Sequence, residues 1–363
     1  MNDPRWAAQP AATARALLAE CCVDPGFVEL DRERVLARGW QLVGHADAVA
    51  GRGDHVVAEV AGVPLLLVRG DDGRLRALHN VCRHRAGPLA ACDGRGAHAL
   101  TCRYHGWTYA LDGALRGAPG MRDAADFDLG AIRLPQARVA EWLGLVWAAI
   151  DGSAGPFEAL VAGIAGRAAA CGVTAAGVAG WTPAGRAHYD IACNWKVYVD
   201  NYLEGYHVPH VHPALNRMLD YRSYVTEASE WYSFQWSPLE SGEGLYGSGD
   251  ALYYWLWPNT MLNILPGRLQ TNRIVPLGVD RCRVEFDFYY TRDDSEAGEA
   301  RRQADRDFSD EVQLEDLTIC EDVQRGLASG SYRAGRLNPL RENAVHHFHE
   351  RMRRAYRDAA ATA

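Results

Sequence analysis

The spacing of apolar and polar positions divides the chain into stretches of different period. Residues 5–37 read as mainly helical, with Ala11–Cys22 as the clearest run. From residue 38 to 150 the pattern becomes short and alternating. Val56–Val60 alternates, Pro64–Val68 is a brief apolar run, and turn signals fall at Arg52-Gly53-Asp54, Gly70-Asp71-Asp72-Gly73 and Leu111-Asp112-Gly113. This predicts a small antiparallel β domain. Residues 151–187 are rich in Gly and Ala and include the crossing into a second domain. Beyond Arg186 helix and strand mix. Tyr189–His207 predicts a helix, and Tyr253–Trp257, Thr271–Val275 and Arg283–Tyr290 predict strands. Phe308–Leu327 carries Val312, Leu314, Leu317, Cys320, Val323 and Leu327 at helical spacing. Internal repeats and low-complexity linkers are not seen. The fold class expected is α+β.

A chain of 363 residues with 48% hydrophobic content is long enough for two cored domains. The expected boundaries are a helical segment at 1–37 packing with the second domain, a β domain at 38–155, and a catalytic domain at 156–363. The net charge of −8 does not attract nucleic acid or an anionic membrane. Apolar stretches such as Trp142–Ile150 are too short to span a bilayer, and no signal-peptide pattern is expected. Nine cysteines are scattered rather than packed as a disulfide framework. Cys21, Cys22, Cys171, Cys193, Cys282 and Cys320 are expected as buried small hydrophobes. A reducing cytoplasm fits this usage.

Two short segments carry the first chemistry. Cys82-Arg83-His84 reads C-x-H, and after 17 intervening residues Cys102-Arg103-Tyr104-His105 reads C-x-x-H. Each offers one thiolate and one imidazole. Cys92 lies between them without a paired His. Two sulfur and two nitrogen ligands suit a [2Fe–2S] cluster with one iron on Cys82 and Cys102 and the other on His84 and His105. Exchanging two thiolates for neutral imidazoles raises the reduction potential. Zinc also takes Cys2His2 ligation, but zinc fingers usually pair like with like. The segment Asn194–Pro213 is the second dense constellation. Two histidines and a carboxylate on one side of an iron leave positions open for oxygen and substrate. His207 and His212 are one pairing, with Pro209 and Pro213 interrupting the helix between and after them. His210 competes at i, i+3 from His207. Gly242-Glu243-Gly244-Leu245-Tyr246-Gly247 matches G-x-G-x-x-G, yet it leads into an aromatic strand rather than a helix, so it reads as a loop. The chain thus supplies no nicotinamide or flavin site of its own, and electrons must come from another protein.

The loops Asn80–Gly87 and Cys102–Tyr109, including Gly106-Trp107 after the last ligand, closely resemble the iron–sulfur loops of the Rieske non-haem iron oxygenases. The resemblance extends from the N-terminal helix to Val323–Leu327. It implies a Rieske domain with the cluster on Cys82, His84, Cys102 and His105, plus a helix-grip catalytic domain, an antiparallel sheet with helices. Glu204, His207 and His212 match the E-x2-H-x4-H motif of the α subunits, which leaves His210 as a bystander or pocket residue. Gln313–Leu327 resembles the C-terminal ligand segment and implies Asp316 as third ligand of a mononuclear Fe(II), with Glu315 and Asp322 as rivals. In the family a carboxylate at Glu204 bridges the Rieske histidine and an iron-ligating histidine across a subunit boundary; Asp200 does not match that spacing. The resemblance implies a homotrimer that uses O2 and a separate NAD(P)H-dependent reductase or ferredoxin, with neither nucleic acid nor membrane as partner.

For substrate, the Asn194–Pro213 and Glu315–Arg336 segments look most like the choline, glycine betaine, carnitine and stachydrine oxygenases, which hydroxylate or N-demethylate quaternary ammonium compounds. Aromatic faces hold such cations, and Tyr202, Tyr206, Tyr253, Trp255 and Trp257 are the candidate cage. A carboxylate-bearing substrate would need Arg268 or Arg273. The alternative is an aromatic-ring-hydroxylating enzyme, monooxygenase or dioxygenase, acting on an aromatic acid. A bare electron carrier would need only residues 38–155, and a zinc-stabilised binding module would be colourless. His346, His347 and His349 are expected on the surface of a polar C-terminal helix.

Overall fold

The computed structural model describes residues 3–171, 173–174, 181–239 and 245–362. The chain separates into two compact units, one of Leu36–Phe157 and one of Met1–Val35 with Glu158–Ala363. No helix among the described residues is long and apolar enough to cross a membrane.

The unit Leu36–Phe157 is built from nine strands, all antiparallel: β1 Gln41–His45, β2 His55–Val60, β3 Val63–Arg69, β4 Leu75–His79, β5 Leu100–Thr101, β6 Thr108–Tyr109, β7 Leu115–Gly117, β8 Gln136–Trp142 and β9 Leu145–Ala149. Six pair in the order β1-β9-β8-β4-β3-β2, and β5-β6-β7 form a small second sheet. Ala61-Gly62 between β2 and β3 and Leu143-Gly144 between β8 and β9 all have positive φ. That is the geometry of a two-residue turn whose twist matches the flanking strands. Leu65–Val68 is buried throughout because both faces of β3 are covered. Leu66 and Val68 pack with Cys82, Cys102, Trp107 and Tyr109, while Leu65 and Leu67 pack with Val146 and Ala148. The period of two in the sequence therefore feeds two apolar clusters, one of them directly beneath the cysteine loops.

The larger unit holds a seven-stranded antiparallel sheet: β10 Thr182–Ile191, β11 Val225–Ala228, β12 Tyr232–Pro238, β13 Asp250–Leu256, β14 Thr260–Leu265, β15 Arg268–Pro276 and β16 Cys282–Tyr290, in the order β10-β16-β15-β14-β13-β12-β11. In β16 the buried Cys282, Val284, Phe286 and Phe288 alternate with Arg283, Glu285 and Asp287. Those charges pair across strands, Arg283 with Asp190 at 2.6 Å, Glu285 with Arg273 at 3.0 Å and Asp287 with Arg186 at 2.7 Å. One face of the sheet is thus a polar ladder, which fixes register. The other face shares an apolar core with the helices α1 Trp195–Tyr202, α2 Glu296–Ala328 and α3 Asn343–Thr362. Asp31, only 2% exposed, ties this core together. It accepts from Trp195 Nε1 at 2.9 Å and Tyr356 Oη at 2.6 Å and pairs with the buried Lys196.

Two helix expectations are corrected. Ala11–Cys22 is not one helix: Ala11–Thr13 is a single 3-10 turn and Glu20–Val23 a short helix. The intervening backbone bonds elsewhere, Ala16 N to Gly335 O at 2.9 Å and Leu337 N to Ala14 O at 3.1 Å, so tertiary pairing overrides the Ala-rich propensity. In Tyr189–His207 the first residues finish β10. Helix begins only at Trp195, where Asn194 caps it by accepting from Lys196 N at 3.0 Å. The strands expected at Tyr253–Trp257, Thr271–Val275 and Arg283–Tyr290 fall within or against β13, β15 and β16, and Phe308–Leu327 lies within α2.

Candidate active site

The two cysteine loops are built alike. In the first, Cys82 N bonds Gly87 O at 2.8 Å and Ala86 N bonds Cys82 O at 3.0 Å; in the second, Cys102 N bonds Trp107 O and Gly106 N bonds Cys102 O, both at 2.9 Å. Ala86 and Gly106 occupy equivalent positions and both have positive φ. The turns bring the histidines together, with the His84 and His105 rings 4.6 Å apart, and the His84 ring stacks on Trp107 at 4.8 Å. Cys82 and Cys102 are both buried. Tyr109 Oη sits 3.3 Å from Cys82 Sγ and accepts from Arg83 N at 3.0 Å. Asn80, buried, braces the first loop by accepting from Leu89 N at 2.8 Å and donating to Ala90 O at 2.8 Å. Gly87 packs so closely that a Cβ there would stand 2.8 Å from Cys102 Sγ. The donor set fits a [2Fe–2S] group. Two thiols and two imidazoles converge from matched loops, and His84 Nδ1 is buried without a hydrogen-bond partner, the state of a nitrogen whose lone pair is meant for metal. Cys92 is exposed and outside this arrangement.

The second donor set is held by α1, the turn after it, and α2. Glu204, His207 and His212 follow α1, and Asp316 lies on α2. His207 Nε2 stands 3.2 Å from His212 Nε2 and 3.8 Å from Asp316 Oδ1, and His212 Nε2 stands 3.0 Å from Asp316 Oδ1. The Nδ1 atoms face outward, His207 Nδ1 to Glu204 Oε1 at 2.7 Å and His212 Nδ1 to Glu315 Oε2 at 2.7 Å. A carboxylate accepts, so each Nδ1 carries the proton and each Nε2 presents a lone pair. Two imidazole lone pairs and a carboxylate oxygen then converge with no proton between them. Such a cluster is costly unless a cation occupies it, and it fits a divalent iron. Asn201 Nδ2 donates to Asp316 Oδ1 at 2.6 Å and fixes that carboxylate. Burial pulls the His212 pKa down, but Asp316 and Glu315 outweigh it and leave it raised.

These donors open into a cavity of about 120 Å³. Tyr202, Tyr224, Tyr246 and Tyr253 line it together with Arg268, Gln270, Asn272 and Gln313. Burial pushes the four phenols upward, Tyr253 to about 12, so their rings stay neutral.

Several expected residues lie elsewhere. His210 is exposed. Of the expected cage, Trp255 and Trp257 are corrected. Both are buried in the core against Phe348 of α3, because that end of β13 lies under the helix rather than over the cavity. Tyr206 is 48% exposed and does not line the cavity. Arg273 pairs with Glu285 on the polar face. Glu315, a rival ligand in the sequence, orients His212 instead. His349 is not a surface residue: it is fully buried, with Nε2 2.9 Å from both Asp200 oxygens. Residues 242–244 of the G-x-G-x-x-G match lie outside the described residues, and Leu245-Tyr246 is a turn. Tyr224, Tyr246, Asn201 and Gln313 were missed, since an isolated Tyr, Asn or Gln carries no spacing signal.

Paired thiolate–imidazole loops and a two-histidine, one-carboxylate centre on a helix-grip sheet define an iron-dependent oxygenase. Residues 39–133 match the Rieske [2Fe-2S] domain, and residues 178–358 match the ring hydroxylating alpha subunit (catalytic domain). Choline monooxygenase, chloroplastic, of Arabidopsis thaliana is 37% identical over 347 residues, covering 90% of this chain and 79% of that protein. The carnitine monooxygenase oxygenase subunit of Escherichia coli (strain K12) is 32% identical over 351 residues, covering 92% of each. The crystal structure of a quaternary ammonium Rieske monooxygenase in complex with L-carnitine superposes with a TM-score of 0.84 at 27% identity, over 98% of this chain and 99% of that one. The chain belongs to the α subunits of the Rieske non-haem iron oxygenases, oxidoreductases that bind a [2Fe–2S] cluster and a mononuclear iron.

Proposed function

We propose that this chain is the terminal oxygenase component that hydroxylates or N-demethylates a small quaternary ammonium or N-methylated substrate with O2. The observation that carries the reading is the cavity: His207, His212 and Asp316 share it with four tyrosines whose phenols stay neutral. Neutral aromatic faces attract a methylated cation through the ring quadrupole without binding it as a salt. The acids around the cavity are already engaged, Glu204 and Glu315 by the two histidines and Asp305 by Arg268. The choline and carnitine enzymes among the relatives support the same reading.

Cys82, His84, Cys102 and His105 are the residues we assign to the cluster, and His207, His212 and Asp316 those we assign to the iron. When bound, the two groups supply one-electron transfer and activation of dioxygen. The chain's own residues do the rest. Glu204 and Glu315 hold the proton on each Nδ1 and so keep both Nε2 lone pairs turned inward. Asn201 steadies the Asp316 oxygen. Tyr202, whose hydroxyl donates to Asn263 Oδ1 at 2.6 Å, is fixed as a wall of the cavity. Glu204 is also the residue we assign as the bridge toward a cluster histidine of a neighbouring copy, in a homotrimer fed by a separate reductase or ferredoxin in the cytoplasm.

The test is a single turnover of chemically reduced protein with dioxygen, read by mass spectrometry. Formaldehyde or a hydroxylated ammonium product is expected from methylated ammonium compounds. A phenol or cis-diol from aromatic acids, with ammonium compounds untouched, would refute the proposal.

A further inference from the structure

Three cysteine sulfurs meet in the larger unit. Cys193 lies between β10 and α1, Cys282 opens β16, and Cys320 sits in the second half of α2. All three are buried, at 0%, 0% and 1% exposure. Cys193 Sγ stands 3.9 Å from Cys282 Sγ, and it also shares a hydrogen bond with the Cys320 thiol. A lone buried thiol is an inert small hydrophobe. Here two thiols turn toward one sulfur. Cys282 and then Cys320 stabilise the Cys193 thiolate and pull its pKa below the usual thiol range, against burial.

Of the three, only Cys320 lines a cavity of about 680 Å³. Val323, Gly326, Ser329 and Ser331 at its rim are exposed, so a small oxidant can enter from solvent. Asn201 and His207 line the same space. Cys320 also lies four residues after Asp316, one turn along α2. Cys193 precedes Asn194, which caps α1 and whose backbone N donates to Gln324 Oε1 at 3.0 Å, one turn beyond Cys320. The start of α1 therefore already rests on α2 beside the trio, and α1 leads directly to Glu204 and His207. A disulfide would draw its sulfurs to about 2 Å, well inside thiol–thiol contact. Metal centres hold their ligand distances within about 0.2 Å, so a small shift of α1 on α2 is enough to disturb them.

We propose that Cys193 and Cys320 form a peroxide-responsive disulfide, which draws the start of α1 onto α2 and weakens the metal centre reversibly. The Cys320 sulfur attacks one oxygen of hydrogen peroxide, the O–O bond breaks, and the thiol proton leaves with the other oxygen as water. The Cys193 thiolate then attacks the resulting sulfenic acid. The S–S bond forms, the S–O bond breaks, and the hydroxide that leaves takes up a proton as a second water. Both sulfurs are oxidised and one peroxide is reduced. Thiol exchange in a reducing compartment restores the pair. Cys282 holds Cys193 in place without entering the bond. The step is the same whichever substrate the oxygenase takes.

The test treats the complete protein, with its cluster and iron, with hydrogen peroxide, alkylates the remaining thiols and maps disulfides by mass spectrometry under non-reducing conditions. A Cys193–Cys320 peptide pair is expected, together with a loss of Fe(II) affinity of about 10-fold or more, the scale seen when the surroundings of a ligand are disturbed. Dithiothreitol should reverse both. Cys320→Ala and Cys193→Ala should each abolish the pair and keep Fe(II) affinity after peroxide, while Cys282→Ala should still form it. Retained cluster colour reports that each variant folds; if one does not, the wild-type map and its reversal decide alone. Absence of the pair, or a Cys193–Cys282 bond in its place, would overturn the proposal. So would a Cys193–Cys320 bond that leaves Fe(II) affinity unchanged, or an equal loss of affinity in Cys320→Ala.

Discussion

Glu315 offers a sharp test of how the metal centre is held. Its Oε2 lies 2.7 Å from His212 Nδ1, and His212 is 1% exposed. The carboxylate pins the proton on Nδ1 and thereby keeps the Nε2 lone pair turned toward His207 and Asp316. Glu315→Gln preserves shape and can still accept through its amide oxygen, but it removes the negative charge. Hydrogen bonds to charged groups contribute about 1.5–3 kcal/mol, against about 1 kcal/mol for a neutral pair. Loss of such a partner typically weakens metal binding by about 10–100-fold, or about 1.4–2.7 kcal/mol. Fe(II) affinity measured by competition with a chromogenic chelator should fall within that range, while the visible absorption of the cluster stays unchanged. Glu315→Ala should be worse, because the imidazole can then place its proton on Nε2 and withdraw the lone pair. If Glu315→Gln bound Fe(II) as the wild type does, the orienting role would be refuted. If it bound none while Asp316→Asn bound normally, Glu315 rather than Asp316 would be the ligand.

Tyr109→Phe removes the hydroxyl 3.3 Å from Cys82 Sγ; a hydrogen bond of about 1 kcal/mol to a cluster sulfur corresponds to tens of millivolts, so the reduction potential read by redox titration should fall. Because Asp316 and Glu315 hold His212 raised against the pull of burial, protons compete with Fe(II) for its Nε2, and affinity should weaken steadily as pH falls through the range where His212 titrates; pH-independent affinity would contradict this. Burial first, then Arg351 and His346, lowers His347 to about 4 from a usual 6.5. A depressed histidine favours the folded state above pH 6.5 and loses that contribution as pH falls toward 4, a difference on the order of 3 kcal/mol. Denaturation of His347→Gln should therefore show a flatter pH dependence across that window than the wild type. Asp31→Ala strands the buried Lys196 and should destabilise the larger unit by about 3–5 kcal/mol in denaturant unfolding.

What could be read in advance follows from the range of the interactions. The cysteine loops and the Glu204–His212 segment announce themselves because their donors are close in sequence and unusual in type. The strands of the sheet were legible because alternation is local and both faces reward it, as Cys282–Tyr290 shows with core on one side and charges on the other. The N-terminal run misled because its alanines favour helix while its backbone bonds to Gly335 and Leu337, more than 300 residues away in sequence. Trp255 and Trp257 misled for a related reason. Tyr253 and Trp255 share a face of β13, but which part of that face meets the cavity is decided by where α3 lies, and no local pattern encodes that.

The partners of the metal donors were harder still. Glu315 and Asp316 are adjacent on α2, both acidic, and equally plausible as ligands by composition. They separate only in three dimensions, where one reaches the Nδ1 side of His212 and the other its Nε2 side. A helix turns about 100° per residue, so neighbouring carboxylates necessarily approach the same imidazole from different directions. One can then hold the proton while the other shares the metal. On that division of labour Glu315 and Asp316 are not expected to be interchangeable, and exchanging their order should abolish the centre even though the composition of the segment would be unchanged.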